Sequence, residues 1–236
     1  MRTALVIARR ELLAYFISPI AYMVSAVFLL IAGYLFALIL IQSRQATMDG
    51  LFFNVTVVLI FVTPLLTMRL LADEQKTGTL EILLTAPVRD WEVVLGKYMA
   101  AMAMFGVMLL STLYYPFILW RIGGTPDWGP IATGYLGLIL LSSAMFAIGV
   151  LTSALTENQI VAAVLGFGIL LLLWLIDAAG NVMTGAATIL TYLAIPTHYN
   201  DFARGAINLE DVIYYVSVTV VALFLATRTL ETRRYR

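Results

Sequence analysis

The side chains that could carry chemistry in this sequence are few and isolated. The chain has one histidine, His198, and no cysteine, which excludes a haem held by two histidines of one chain and any thiolate site. The run Gly96-Lys97-Tyr98 resembles the end of a phosphate-binding loop. However, Trp91 stands where that loop needs a glycine, and Tyr98 stands where Ser or Thr must hold magnesium. The sequence therefore predicts no catalytic residue, no metal site and no cofactor bound by this chain.

A cluster of charged residues lies in the loop 72–90. A short helix starting near Thr79 would be capped by Thr77 or Thr79 and ended by Pro87. Asp90 would then cap the helix that follows. The charged residues of the loop are Asp73, Glu74, Lys76 and Glu81, and the apolar stripe of the helix is Leu80, Leu83 and Leu84. The alternative is an ordinary solvated loop, which a charge run alone would favour.

Residues 1–18 form a second amphipathic segment. The apolar residues Leu5, Ala8, Leu12 and Phe16 recur at helical spacing, away from Arg2, Arg9 and Arg10. A basic helix of this kind lies among lipid head groups, and Ser18-Pro19 would end it because the residue before proline avoids the helical conformation. The alternative is that the segment only extends the first span.

Membrane-spanning helices must position these segments. Apolar residues make up 62% of the 236 and charged residues only 12%, which a soluble domain of this size could not cover with polar surface. Basic runs that would bind nucleic acid are absent. We therefore predict an all-α polytopic membrane protein, since about 20 apolar residues cross a bilayer. The six expected transmembrane helices are 20–42, 51–70, 94–120, 131–153, 159–177 and 211–228.

The distribution of Lys and Arg predicts the orientation of the spans. Eleven of these 14 residues fall on one side, and Arg44, Arg121 and Arg204 fall on the other. By the positive-inside rule, both termini and the loop 72–90 are cytoplasmic, in a cell (inner or plasma) membrane. The spans are nearly free of charge, which disfavours a proton-coupled transporter.

The outer segment 178–210 contains the single histidine. His198 could touch cargo or a partner, but hydrogen bonds that fix this irregular segment are the preferred role. An apolar stretch from Ala186 to Ile195 predicts that part of the segment dips back into the membrane. Asn208 and Asp211 indicate the capped start of the sixth span.

Three stretches resemble the membrane subunit of ABC-2-type ABC transporters. The first is residues 10–19, which is similar to the N-terminal interfacial helix of that family. The second runs from Glu74 to Pro87 and on to Gly96-Lys97, and resembles the family's coupling loop between spans two and three. The third, Pro196 to Gly205 together with residues 211–215, resembles the outer segment of the gliding-motility-type branch.

The resemblance implies a single ABC-2-type domain over residues 1–236 that works as an exporter. Its partners would be two copies of a cytoplasmic ATPase, which hold ATP and magnesium, and a second permease, either identical or related. Gly78 would permit a sharp entry into the coupling helix. The implied functional residues are Asp73, Glu74, Lys76, Thr77, Gly78, Thr79 and Glu81 for ATPase coupling; Arg9, Arg10, Glu11 and Tyr15 in the interfacial helix; and His198, Phe202 and Gly205 in the outer segment.

Two further functions stay open from the sequence. A mechanotransmission subunit would keep the same fold and ATPase but would pass the ATPase motion to an outer-side machine with little transport. A membrane anchor of an enzyme or electron-transfer complex has only the composition in its favour. The identity of the substrate does not follow from the residues.

Overall fold

The computed structural model describes residues 2–43, 47–79, 88–180 and 192–234, and the regular structure within these ranges is helical. Six helices are long and apolar enough to cross a membrane, which confirms the predicted fold class. These helices are Pro19–Gln42, Asp49–Lys76, Asp90–Arg121, Trp128–Leu155, Gln159–Ile176 and Leu209–Thr232.

The helices are numbered in chain order. They are α1 (Arg2–Ile17), α2 (Pro19–Ser43), α3 (Asp49–Thr67), α4 (Ala72–Lys76), α5 (Asp90–Thr112), α6 (Tyr114–Arg121), α7 (Trp128–Leu155), α8 (Gln159–Gly180), α9 (Asn200–Ala203) and α10 (Leu209–Arg234). A 3-10 turn, Thr197–Tyr199, precedes α9. The second span consists of α3 and α4 joined by a turn, and the third consists of α5 and α6.

Helix α7 forms the centre of the bundle and packs against α3, α5, α8 and α10. In its most apolar stretch 72% of the residues are buried, against 17% for α8 and 22% for α2. Two glycines let α3 approach it closely: a Cβ at Gly149 would lie 2.3 Å from Oγ1 of Thr67, and one at Gly134 would lie 2.4 Å from the ring of Phe52. Small residues at helix contacts are a common means of close packing in membranes.

The N-terminal helix ends where the sequence predicts. Helix α1 stops at Ile17 and α2 begins at Pro19, so only Ser18 separates them. Helix α1 packs along the start of α5. The predicted boundary between the two helices is confirmed.

The third span differs from the single expected helix at its start and in its middle. Asp90 does not cap α5 but is its first residue, preceded by Arg89 in an extended conformation. The span also divides at Leu113, which places Pro116 in the first turn of α6.

Two expectations fall on residues that the structure does not describe. Residues 80–87 contain nearly all of the expected coupling helix, including Glu81. Residues 181–191 contain much of the stretch expected to dip back into the membrane.

Candidate functional site

Lys97 is buried in the first turns of α5 and holds two carboxylates. Its side chain is 1% exposed, and its Nζ lies 3.2 Å from Oε1 of Glu11 and 2.9 Å from Oε1 of Glu74. Glu11 belongs to α1 and Glu74 to α4, so one ammonium group joins three helices. A buried charge that loses its partner destabilises a protein by about 3–5 kcal/mol. Lys97 therefore fixes α1 and α4 against the start of the third span.

Arg10 completes this cluster from the exposed side. Its Nη2 donates to Oε1 of Glu11 over 2.9 Å and to Oε1 of Glu74 over 3.0 Å. The hydrogen bond to Glu11 is the main cause that raises the pKa of Arg10. Burial alone would raise the pKa of Glu11, but the charge and hydrogen bonds of Lys97 and Arg10 outweigh it and hold that pKa below its usual range. We call Arg10, Glu11, Glu74 and Lys97 the charged cluster; its two cations and two anions balance.

A glycine allows α1 to reach the base of α5. A Cβ at Gly96 would lie 2.8 Å from the carbonyl oxygen of Ala4 and 2.9 Å from Cβ of Ile7. The obstacle at 2.8 Å is backbone, which cannot rotate away as a side chain can. Only glycine at position 96 therefore permits the contact that brings α1 beside Lys97.

Ser153, near the end of α7, holds the turn between α3 and α4. Its Oγ accepts from the backbone N–H groups of Leu71 and Ala72 over 3.0 and 3.1 Å, and it donates to the carbonyl of Met68 over 3.0 Å. The amide of Gln75 adds a hydrogen bond of 3.0 Å to a backbone carbonyl of α7. The fourth span is thus attached to the same end of the second span as the charged cluster.

Tyr15 and Arg69 add two contacts between α1 and the end of the second span. The hydroxyl of Tyr15 donates to the carbonyl of Leu66 over 2.6 Å. Burial, followed by the charge of Glu11, raises the pKa of Tyr15 above its usual range. Arg69 donates through Nη1 to Oγ of Ser18 over 2.8 Å. A cavity of about 180 Å³ lies between these residues and the charged cluster.

The chain leaves α4 through a sharp turn at Gly78. This residue has φ +70°, in the left-handed region that glycine adopts without strain. Thr77 donates through Oγ1 to the carbonyl of Asp73 over 2.9 Å, at the end of α4. Residues 76–79 are exposed, and Glu81 lies outside the described residues.

At the other end of the spans, His198 is buried against α10. Its Nδ1 lies 2.7 Å from Oδ1 of Asp211, and its Nε2 lies 2.9 Å from the carbonyl of Tyr192. The ring stacks on Tyr214 at a centroid distance of 4.0 Å. The hydroxyls of Tyr214 and Tyr215 donate to two backbone carbonyls of the same segment over 2.8 and 2.9 Å. These contacts join the outer segment to the start of the sixth span.

Phe202 and Gly205 attach the outer segment to α7. Phe202 is fully buried. It packs so close to Gly137 that a Cβ at position 137 would lie 2.7 Å from the Cβ of Phe202. Thr133 donates to the carbonyl of Phe202 over 2.7 Å. Gly205 has φ +92° and lies against Pro130. Phe202 and Gly205 thus have packing roles in the structure.

A comparison with protein families decides the class of this protein. Residues 55–233 match the model of a family described as ABC-2 family transporter protein. The chain belongs to this family. ABC-2 permeases are membrane subunits of ABC transporters, and they normally pair with a cytoplasmic ABC ATPase. Among curated proteins, none matches the chain.

The ABC-2 match covers only part of the charged cluster. It includes Glu74 and Lys97, together with Ser153 and the described part of the outer segment. It begins after α1, so Arg10 and Glu11 lie outside the matched residues.

The predicted functional residues are only partly brought together. Arg10, Glu11 and Glu74, assigned from the sequence to two separate segments, meet in one cluster. Arg9 is exposed on α1 and lies outside it. Lys97 was not predicted to be a site residue, although a lysine within an apolar run is a signal for a buried, paired ion. Ser153 was not predicted either, because a serine within an apolar span carries no distinct signal of its partners.

Proposed function

We propose that this ABC-2 protein is the non-catalytic permease subunit of an exporter, driven by ATP hydrolysis in a separate cytoplasmic subunit. The observation that carries the proposal is the double ion pair of Lys97 with Glu11 and Glu74. This pair joins α1, the end of the second span and the start of the third span. The loop 77–89 leaves this junction at Gly78, and the ATPase would act on that loop.

Movement of the loop would reach three spans. One end of the loop continues into the helical segment Asp49–Lys76, and the other continues into α5 at Asp90. The hydrogen bonds of Ser153 extend the connection to the fourth span. A displacement of the loop by a docked ATPase would therefore tilt the second, third and fourth spans together.

The proposed orientation places this junction in the cytoplasm. It follows the eleven-to-three distribution of Lys and Arg, with both termini inside. Exposed apolar side chains on α1 suit a helix lying on the membrane surface; they include Leu5 at 59%, Leu13 at 53% and Ile17 at 81% exposure.

The proposed assembly contains two permeases and two ATPase subunits. The largely exposed apolar faces of α2 and α8 leave room for lipid and for a second permease, identical or related. ATP and magnesium would bind to the ATPase, so the purified chain alone should not hydrolyse ATP. The sequence of the outer segment supports assignment to the gliding-motility-type branch.

Cross-linking from single cysteines tests this assignment, since the chain has no cysteine of its own. A photoreactive maleimide placed on T79C should cross-link to an ABC ATPase reconstituted with the chain. The matched control is T125C, an exposed threonine at the opposite end of the spans. In intact cells a membrane-impermeant maleimide should label T125C only. External labelling of T79C, or cross-links to the ATPase from T125C alone, would overturn the proposal.

Mechanotransmission is separated from export by a transport assay. In proteoliposomes containing permease and ATPase, export predicts ATP-dependent movement of a substrate across the bilayer. A mechanotransmission subunit predicts the same T79C cross-link and the same stimulated hydrolysis without movement of substrate.

A further inference from the structure

Two opposite charges, Arg69 and Asp73, line one cavity without an ion pair to any other described residue. Arg69 lies in the turn between α3 and α4 and donates to the neutral hydroxyl of Ser18. Asp73 lies one helical turn later, and its Oδ1 accepts from the amide of Gln159. Both charged side chains are half-buried. Each charge is therefore held partly away from water by a neutral partner, which favours a ligand of complementary charge.

The cavity lies where lipid head groups are expected. It has a volume of about 180 Å³ and is bounded by the end of α1, the α3–α4 turn and the start of α5. The first span begins at Pro19, directly after Ser18, which lines the cavity. Ile17 and Ile20 on either side of this point are 81% and 42% exposed. A polar cavity beside an exposed apolar surface at the end of a span suits an amphiphile.

The remaining charged residues on the cavity wall differ from Arg69 and Asp73 because each already has an ion pair, although Oε2 of Glu74 is buried without a hydrogen-bond partner. Glu11, Glu74 and Lys97 also line it, but they are already bound to one another in the charged cluster. The hydroxyl of Tyr15 is engaged by a backbone carbonyl. A ligand that carried only a negative group would satisfy Arg69 and lie beside Asp73 unfavourably.

We propose that this cavity binds the head group of a phospholipid that carries both a phosphate and a primary amine. The guanidinium of Arg69 donates to the phosphate oxygens, whose geometry its planar fork matches. The ammonium group donates to the carboxylate of Asp73. A quaternary amine cannot donate this hydrogen bond, and a head group without an amine leaves Asp73 unpaired. This gives Asp73 a role separate from contact with the ATPase.

Lipid retention measured by native mass spectrometry tests the site. The purified full chain is released from nanodiscs that contain equal amounts of phosphatidylethanolamine, phosphatidylglycerol and phosphatidylcholine with identical acyl chains. Wild type should retain phosphatidylethanolamine preferentially, and Arg69→Gln should lower this retention roughly tenfold because it removes charge-assisted hydrogen bonds. Asp73→Asn should abolish the preference for phosphatidylethanolamine over phosphatidylglycerol. The control Arg121→Gln, on an exposed arginine at the other end of the spans, should change nothing.

Two additional measurements can contradict the proposal. If Arg69→Gln does not fold, Arg69→Lys keeps the charge without the fork and should show intermediate retention; wild-type retention in that variant would contradict the role of Arg69. Soluble phosphoethanolamine at the concentration of the lipid should not displace it, since acyl chains add to binding. Displacement would assign the site to a free phosphoamine instead. Equal retention of all three lipids by wild type would overturn the proposal.

Discussion

The Nζ of Lys97 lies 2.9 Å from Oε1 of Glu74, so an ion pair joins the start of the third span to the end of the second. The loop that the family resemblance assigns to ATPase coupling runs between these two helices. Its ends are therefore held together at the base of the bundle. The same lysine also binds Glu11 of α1, which makes α1 part of this base.

Replacement of Lys97 should destabilise the protein strongly. Lys97→Met leaves Glu11 and Glu74 with Arg10 as their one cationic partner among the described residues, and we expect a loss of about 3–5 kcal/mol. The control Lys76→Met removes an exposed lysine and should cost under about 1 kcal/mol. Thermal unfolding of both variants in detergent measures the difference. Equal midpoints would show that the buried ion pairs contribute nothing.

Two glycines of α5 test whether α1 packs closely against this helix. Gly96→Ala places a Cβ 2.8 Å from the backbone of Ala4, whereas Gly106→Ala meets no heavy atom within 4 Å. Alanine favours a helix over glycine by up to about 1 kcal/mol, so Gly106→Ala should be neutral or stabilising. Gly96→Ala should lower the unfolding temperature and increase proteolysis of α1. An unchanged stability and cleavage pattern for Gly96→Ala would contradict the close contact.

The architecture followed from the sequence because it depends on local properties. Length and hydropathy determined the six spans, and Pro19 determined the end of α1. The charged cluster could not be deduced in the same way, because Glu11, Glu74 and Lys97 lie on three helices whose packing brings them together. The break of the third span at Leu113 also depends on context, since Pro116 alone is compatible with a kink.

Replacement of His198 distinguishes a structural role of this residue from contact with cargo. His198→Phe keeps a ring against Tyr214 but loses the hydrogen bonds to Asp211 and to the carbonyl of Tyr192. A structural role predicts a lower unfolding temperature, with a loss of about 1–3 kcal/mol because buried polar groups lose their partner. A transport defect at unchanged unfolding temperature would instead indicate contact with cargo.

Glu81 and Leu83 test the coupling helix from sequence alone, since both lie outside the described residues. Glu81→Lys should leave expression and stability nearly intact, because exposed charges contribute under about 1 kcal/mol. If Glu81 lies at an interface with the ATPase, Glu81→Lys should lower co-purification of the ATPase or permease-stimulated hydrolysis several-fold. Leu83→Glu is the contrasting variant and should destabilise the permease itself. Unchanged ATPase binding and stimulation in Glu81→Lys would remove Glu81 from the interface.

The most direct test of coupling through the charged cluster is ATP hydrolysis by the permease–ATPase complex after a charge exchange. Glu74→Lys and Lys97→Glu each leave two excess like charges in the cluster. The double variant restores the net charge and the ion pair between positions 74 and 97, but it sets like charges against Arg10 and Glu11. We predict that each single variant loses permease-stimulated hydrolysis while ATPase remains bound, and that the double variant recovers part of it through the restored pair between positions 74 and 97. Full stimulated hydrolysis in a single variant whose charged cluster is disrupted would contradict the account.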